Sequence, residues 1–141
     1  MKQLDKAQVK PFILGGKAIF TLKSGKTGTH YTYKMERCEE DNNLYFIHLL
    51  TGPDNMDDYT YIGCYFTDNH YFACAKRWKA IPPELLPGCV RAIRYTLNNI
   101  DHLPDNLYVY HEGRCCVCGR RLTTPESIER GVGPECARRI E

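Results

Sequence analysis

The hydrophobic pattern changes period along the chain, and those changes divide it into segments. Thr29 to Arg37 alternates, with Tyr31, Tyr33 and Met35 on one side and His30, Thr32 and Lys34 on the other. That is the period-two signature of a half-buried strand. Phe12 to Lys23, Leu44 to Leu50, Tyr59 to Thr67 and Tyr71 to Lys76 read as further strands. Their separators carry turn chemistry: Ser24 to Gly28, the acidic Glu39 to Asn43, Gly52-Pro53-Asp54-Asn55, and Asp68-Asn69. Residues 11–77 are therefore expected to form an antiparallel meander. Within Tyr59 to Thr67 the alternation assigns Ile62, Cys64 and Phe66 to the core, beside Phe72 and Cys74. Tyr59, Tyr61, Gly63 and Tyr65 fall on the opposite side.

From Pro82 the period lengthens. Pro83 to Leu86 reads as one turn, interrupted by Pro87-Gly88. Val90, Ile93, Leu97 and Ile100 then recur at helical spacing while Arg91, Arg94 and Asn98 face away, which predicts an amphipathic helix over about 87–100. Leu107 to Tyr110 reads as a last strand leading into His111. The expected fold class is α+β: a small antiparallel sheet with one packed helix over residues 1–104, followed by a module at 105–141.

Composition narrows the class. A chain of 141 residues can bury a core. No segment reads as a membrane span, and the opening MKQLDKAQVK lacks the apolar stretch of a secretory signal. A cytoplasmic setting is expected, with the eight cysteines serving as metal ligands or core thiols and not as disulfides. The net charge of +2 conceals a division: residues 1–35 hold seven lysines against Asp5, and residues 36–60 hold seven acids against Arg37. Mutual neutralisation of these segments is the default expectation. A basic face turned toward phosphates is the other reading.

Candidate chemistry lies in the tail, where His111 to Cys136 reads HEGRCCVCGRRLTTPESIERGVGPEC and holds four of the eight cysteines. Cys115 and Cys118 make a C-x-x-C knuckle followed by Gly119, which permits a tight turn with backbone N–H groups aimed at the sulfurs. Cys116 offers a second register without the two-residue gap. Thr124 is placed to cap a short helix, with Pro125 in its first turn and Gly131 just past its end. Pro134 opens a second helix to Ile140, with Cys136 in its first turn, where the dipole favours a thiolate. These positions point to one Zn2+ held by Cys115, Cys118, Cys136 and a fourth group. His111 is the expected fourth ligand, with water or another cysteine as alternatives. Four protein ligands close the shell, so the metal is expected to be structural, in a treble-clef-like arrangement.

Other chemistries find little support. Gly25-Lys26-Thr27 lacks the glycine a phosphate loop needs five residues earlier, where Phe20 stands. His111-Glu112 has no second histidine at protease spacing, and residue 113 is glycine where a deaminase needs glutamate. No catalytic residues are assigned; a Cys38 pair with His30 or His48 is the residual enzyme reading.

The tail, written H-x-G-x-C-x-x-C-G-R-x-L-T-x-P-x-S-I-x-x-G-x-G-P-x-C, resembles a small uncharacterised zinc-binding domain common in bacteriophage and mobile-element proteins. The likeness covers His111 to Cys136. It implies a zinc site and a phage or mobile-element origin, but no reaction. The expected function is non-catalytic binding to a host nucleic-acid-processing or defence complex by protein contact, with direct DNA or RNA binding as the alternative. Arg114, Arg120, Arg121, Arg138 and Arg139, with Tyr59, Tyr61, Tyr65 and Trp78, are the expected contact residues, because arginine and aromatic side chains serve both kinds of interface.

Overall fold

The computed structural model describes residues 1–54 and 56–140, side chains of 139 and 140 excepted. Asn55 of the expected Gly52–Asn55 turn and the Arg139 side chain therefore lie outside the described residues. Among the described residues seven strands form one antiparallel sheet: β1 (Lys2–Gln3), β2 (Lys17–Ser24), β3 (His30–Arg37), β4 (Leu44–Leu50), β5 (Tyr59–Phe66), β6 (Tyr71–Cys74) and β7 (Leu107–His111). Their order is β1-β7-β2-β3-β4-β5-β6. The expected meander is the run from β2 to β6, and β7 is added beside β2 by pairing Phe20 with His111 through Ser24 with Leu107. The tail thus enters through a strand of the main sheet.

Among the described residues four α-helices accompany the sheet, α1 (Lys6–Ile13), α2 (Gly88–Asn98), α3 (Pro125–Arg130) and α4 (Pro134–Ile140), with short 3-10 turns at Lys76–Trp78 and Pro83–Leu85. α2 buries Val90, Ile93 and Leu97 of the expected stripe together with Thr96, while Ile100, its fourth member, is buried just beyond the end of the helix. Side chains of this size each contribute roughly 1.5–3 kcal/mol when fully buried. α1 is an addition to the expected single helix. Val9, Phe12 and Ile13 make its buried face at helical spacing, although Pro11 lies inside it. The expected first strand therefore starts at Lys17 and not at Phe12. No helix among the described residues is long and apolar enough to cross a membrane.

One face of the sheet supplies Ala18, Phe20, Leu22, Tyr33, Met35, Tyr45, Ile47 and Val109 to a core shared with α1, α2 and the tail residues Cys115, Cys116, Val132, Cys136 and Ala137. β5 departs from its expected faces. Ile47 pairs with Gly63 but His48 pairs with Tyr61, so Ile62 is an extra residue in the ladder. A bulge of this kind shifts the alternation by one position. Beyond it Tyr65 is 1% exposed and joins Ile62 in the core, while Cys64 and Phe66 are only half-buried. The expectation that Tyr65 is a surface contact residue is corrected on this ground.

The two charged segments meet only in part. Lys34 pairs with Glu36 at 3.2 Å, but Lys2 pairs with Glu129 at 2.9 Å and Lys10 with Asp101 at 2.7 Å.

Candidate metal centre

Local sequence chemistry builds the tail. Thr124 caps α3 by accepting a hydrogen bond from the Ser127 N–H at 3.3 Å. Gly131 then ends the helix in the left-handed region at φ 75°. A β-carbon at Gly131 would lie 2.5 Å from Phe12 Cδ2, so glycine also lets α1 approach the turn. Arg114 bridges Arg121 across a small hairpin, and within it the Gly119 N–H donates to the Cys115 carbonyl at 2.9 Å. Gly119 itself has φ 78°, a conformation that glycine adopts without steric penalty.

This folding brings Cys115, Cys118 and Cys136 together, with their Sγ atoms all within 4.8 Å of one another. Three thiolates on one zinc ion at about 2.3 Å lie about 3.8 Å apart, so closing the set needs shifts of at most about an ångström. Cys115 Sγ accepts from the Gly133 N–H at 3.3 Å and the Val117 N–H at 3.4 Å. Burial pushes the Cys115 thiol up, but N–H donors from Cys118, Gly133 and Val117 together outweigh it and hold the group below its ordinary value. Burial, then hydrogen bonds with the other two thiols, push Cys136 up to about 11. The donor set fits a thiophilic ion such as zinc.

Cys116 belongs elsewhere. Its sulfur packs against Gly15, where a β-carbon would lie 2.6 Å from it. Burial, followed by the Cys115 charge, pushes its thiol up to about 12. The Cys116 carbonyl accepts from the Lys17 N–H at 2.7 Å, which stitches the knuckle to β2. The two-residue register is the one that converges.

His111 is not brought to the cluster, which corrects its expected role as fourth ligand. Its Nε2 lies 2.7 Å from the Ile128 carbonyl, and its Nδ1 accepts from the Gly113 N–H at 3.0 Å. Both ring nitrogens are therefore engaged, with the proton on Nε2. The ring is fully buried, with its centroid 5.4 Å from that of Phe12. Burial holds its pKa below the ordinary value, so the imidazole stays neutral and pins α3 to β7.

The three sulfur-bearing residues open onto a cavity of about 280 Å³ that is also lined by Arg120, Arg121, Thr124 and Glu135. The sequence named both arginines but not Glu135, whose only local signal is its place beside Cys136. Arg120, Arg121 and Arg138 are exposed, whereas Arg114 is half-buried and donates to the Gly119 carbonyl at 3.3 Å. Of the expected aromatic contacts, Tyr61 is 39% exposed. Tyr59 is half-buried with the Lys34 ammonium 5.4 Å from its ring centroid, and Trp78 is covered by the Arg77 guanidinium at 4.1 Å.

The cluster lies in a segment with a known likeness. Residues 105–141 match a family of unknown function, DUF6011. That match spans the C-terminal quarter of the chain. No curated protein and no solved structure matches the chain.

Proposed function

We propose that the protein is a zinc-binding, non-catalytic binding protein of phage or mobile-element origin. In this reading its C-terminal module is treble-clef-like and holds a contact surface rigid. The observation that carries it is the convergence of Cys115, Cys118 and Cys136 on one point, from a knuckle and a helix N-terminus. Structural zinc in small modules is worth about 10–16 kcal/mol of apparent binding free energy, enough to fix a segment with few large apolar side chains. The likeness of residues 105–141 to a family without assigned activity accords with a module defined by its metal and not by a reaction.

The partner is a protein, or the protein part of a host nucleic-acid-processing or defence complex. Three features favour this over bare nucleic acid. The net charge is only +2. Tyr65 and Trp78, two of the aromatic side chains that would stack on bases, are buried or covered. Leu85 at 70% and Tyr95 at 54% exposure offer apolar contact instead. Direct nucleic-acid binding remains the second reading, resting on exposed Arg120, Arg121 and Arg138.

Affinity capture from a bacterial lysate, run beside gel retardation of DNA and RNA, separates the two. The proposal expects a captured protein at stoichiometric yield, lost with Arg120→Glu plus Arg121→Glu, and no retardation at physiological salt. Retardation that weakens steeply with salt, with no protein captured, contradicts it.

A further inference from the structure

We infer that the metal site is completed by a thiolate from another molecule, bound in the cavity between the knuckle and α4. This rests on the zinc reading above and specifies the fourth position of that site.

Three observations carry it. First, among the described residues Cys115, Cys118 and Cys136 are the one set of three or more His, Cys, Asp or Glu side chains whose ligand atoms all lie within 4.8 Å of one another, and no fourth such residue joins them. Second, the nearest candidates from the sequence are committed elsewhere. His111 has both ring nitrogens hydrogen-bonded, and Cys116 packs against Gly15. Third, the same three cysteines line a cavity of about 280 Å³, ample for a cysteine side chain or a small thiol.

The chemistry selects the ligand. Zn2+ with three thiolates carries one net negative charge, and each thiolate donates electron density to the ion. A water bound there keeps little of the acidity that three neutral imidazoles confer, so hydrolytic use of the position is disfavoured. A fourth thiolate completes a standard closed all-cysteine set and suits the softness of the other three. It raises the site charge to minus two, and Arg120 and Arg121 line the same cavity against the single carboxylate of Glu135. The thiol gives up its proton on binding, so the exchange is a ligand substitution with no redox step. The source is either a free small thiol or a cysteine of a second protein molecule.

Cobalt substitution tests this without an activity assay. The full chain is purified with a phosphine reductant and loaded with Co2+, and its sulfur-to-cobalt absorbance is followed as 2-mercaptoethanol is added. The expected result is a saturable rise of about a third, as three thiolates become four. His111→Gln leaves the starting spectrum unchanged, and Arg120→Ala with Arg121→Ala raises the thiol concentration needed for half-saturation. A starting intensity already at the four-thiolate level that falls on dilution identifies a second copy as the thiolate source, and also supports the inference. A tetrahedral spectrum indifferent to thiol and to dilution overturns it while leaving the zinc reading intact. So does loss of cobalt to the added thiol. Should His111→Gln fail to fold, the thiol titration of the parent chain decides alone. A chain that takes up no cobalt and no zinc overturns the zinc reading itself.

Discussion

His111 shows how far one residue's role depends on where its ring points. Spacing places it four residues before Cys115, a natural ligand position, yet its nitrogens serve the Ile128 carbonyl and the Gly113 N–H. Burial holds its folded pKa down, against an unfolded value of about 6.5. Below about pH 6.5 the unfolded chain takes up a proton that the folded chain resists. The stability this group contributes is thus complete above pH 6.5 and is lost as pH falls toward the depressed folded value. His48 is held down by burial in the same direction. Urea midpoints measured at pH 7 and pH 5 should fall less for His111→Gln than for the parent chain, metal loss at low pH being common to both. Equal falls would contradict the buried neutral imidazole.

Elements differ in how much of themselves the sequence displays. The tail was legible nearly to the residue, because its signals are local: a capping Thr124, Pro125 in the first turn, Gly131 past the end, and Pro134 opening the helix that carries Cys136. The existence of β2 to β6 and α2 was legible from periodicity for the same reason, though not the start of β2 or the faces of β5. α1 was not, since eight residues with Pro11 inside them give too short a stripe to separate from the apolar run that follows. Nor was the bulge at Ile62, because alternation along one strand carries no information about an unmatched residue in its partner ladder. Tyr65 changed face as a result. Gly131 offers the test at this scale. Its φ of 75° and its approach to Phe12 both exclude a β-carbon, so Gly131→Ala should destabilise by about 1–3 kcal/mol and weaken zinc retention in a chelator competition. A variant with unchanged melting and unchanged zinc loss would remove α1 from the support of the metal site.

At the scale of the molecule, the cysteine cluster and the sheet share one framework. β7 pairs with β2 and runs into the knuckle, Lys17 bonds the Cys116 carbonyl, and Cys115, Cys116, Cys136 and Ala137 pack in the same core as Phe12 and Phe20. A boundary between residues 104 and 105 therefore divides elements that share hydrogen bonds and packing. Removing the ion should loosen the whole chain and not the tail alone, given a binding free energy of the same order as the roughly 5–15 kcal/mol net stability of a domain. The most direct measurement is elemental analysis of the purified chain together with its Cys136→Ser and Cys116→Ala variants. The account predicts one zinc per parent chain, one per Cys116→Ala chain, and well under half per Cys136→Ser chain. A parent chain without stoichiometric metal, or zinc lost from Cys116→Ala but kept by Cys136→Ser, would contradict it.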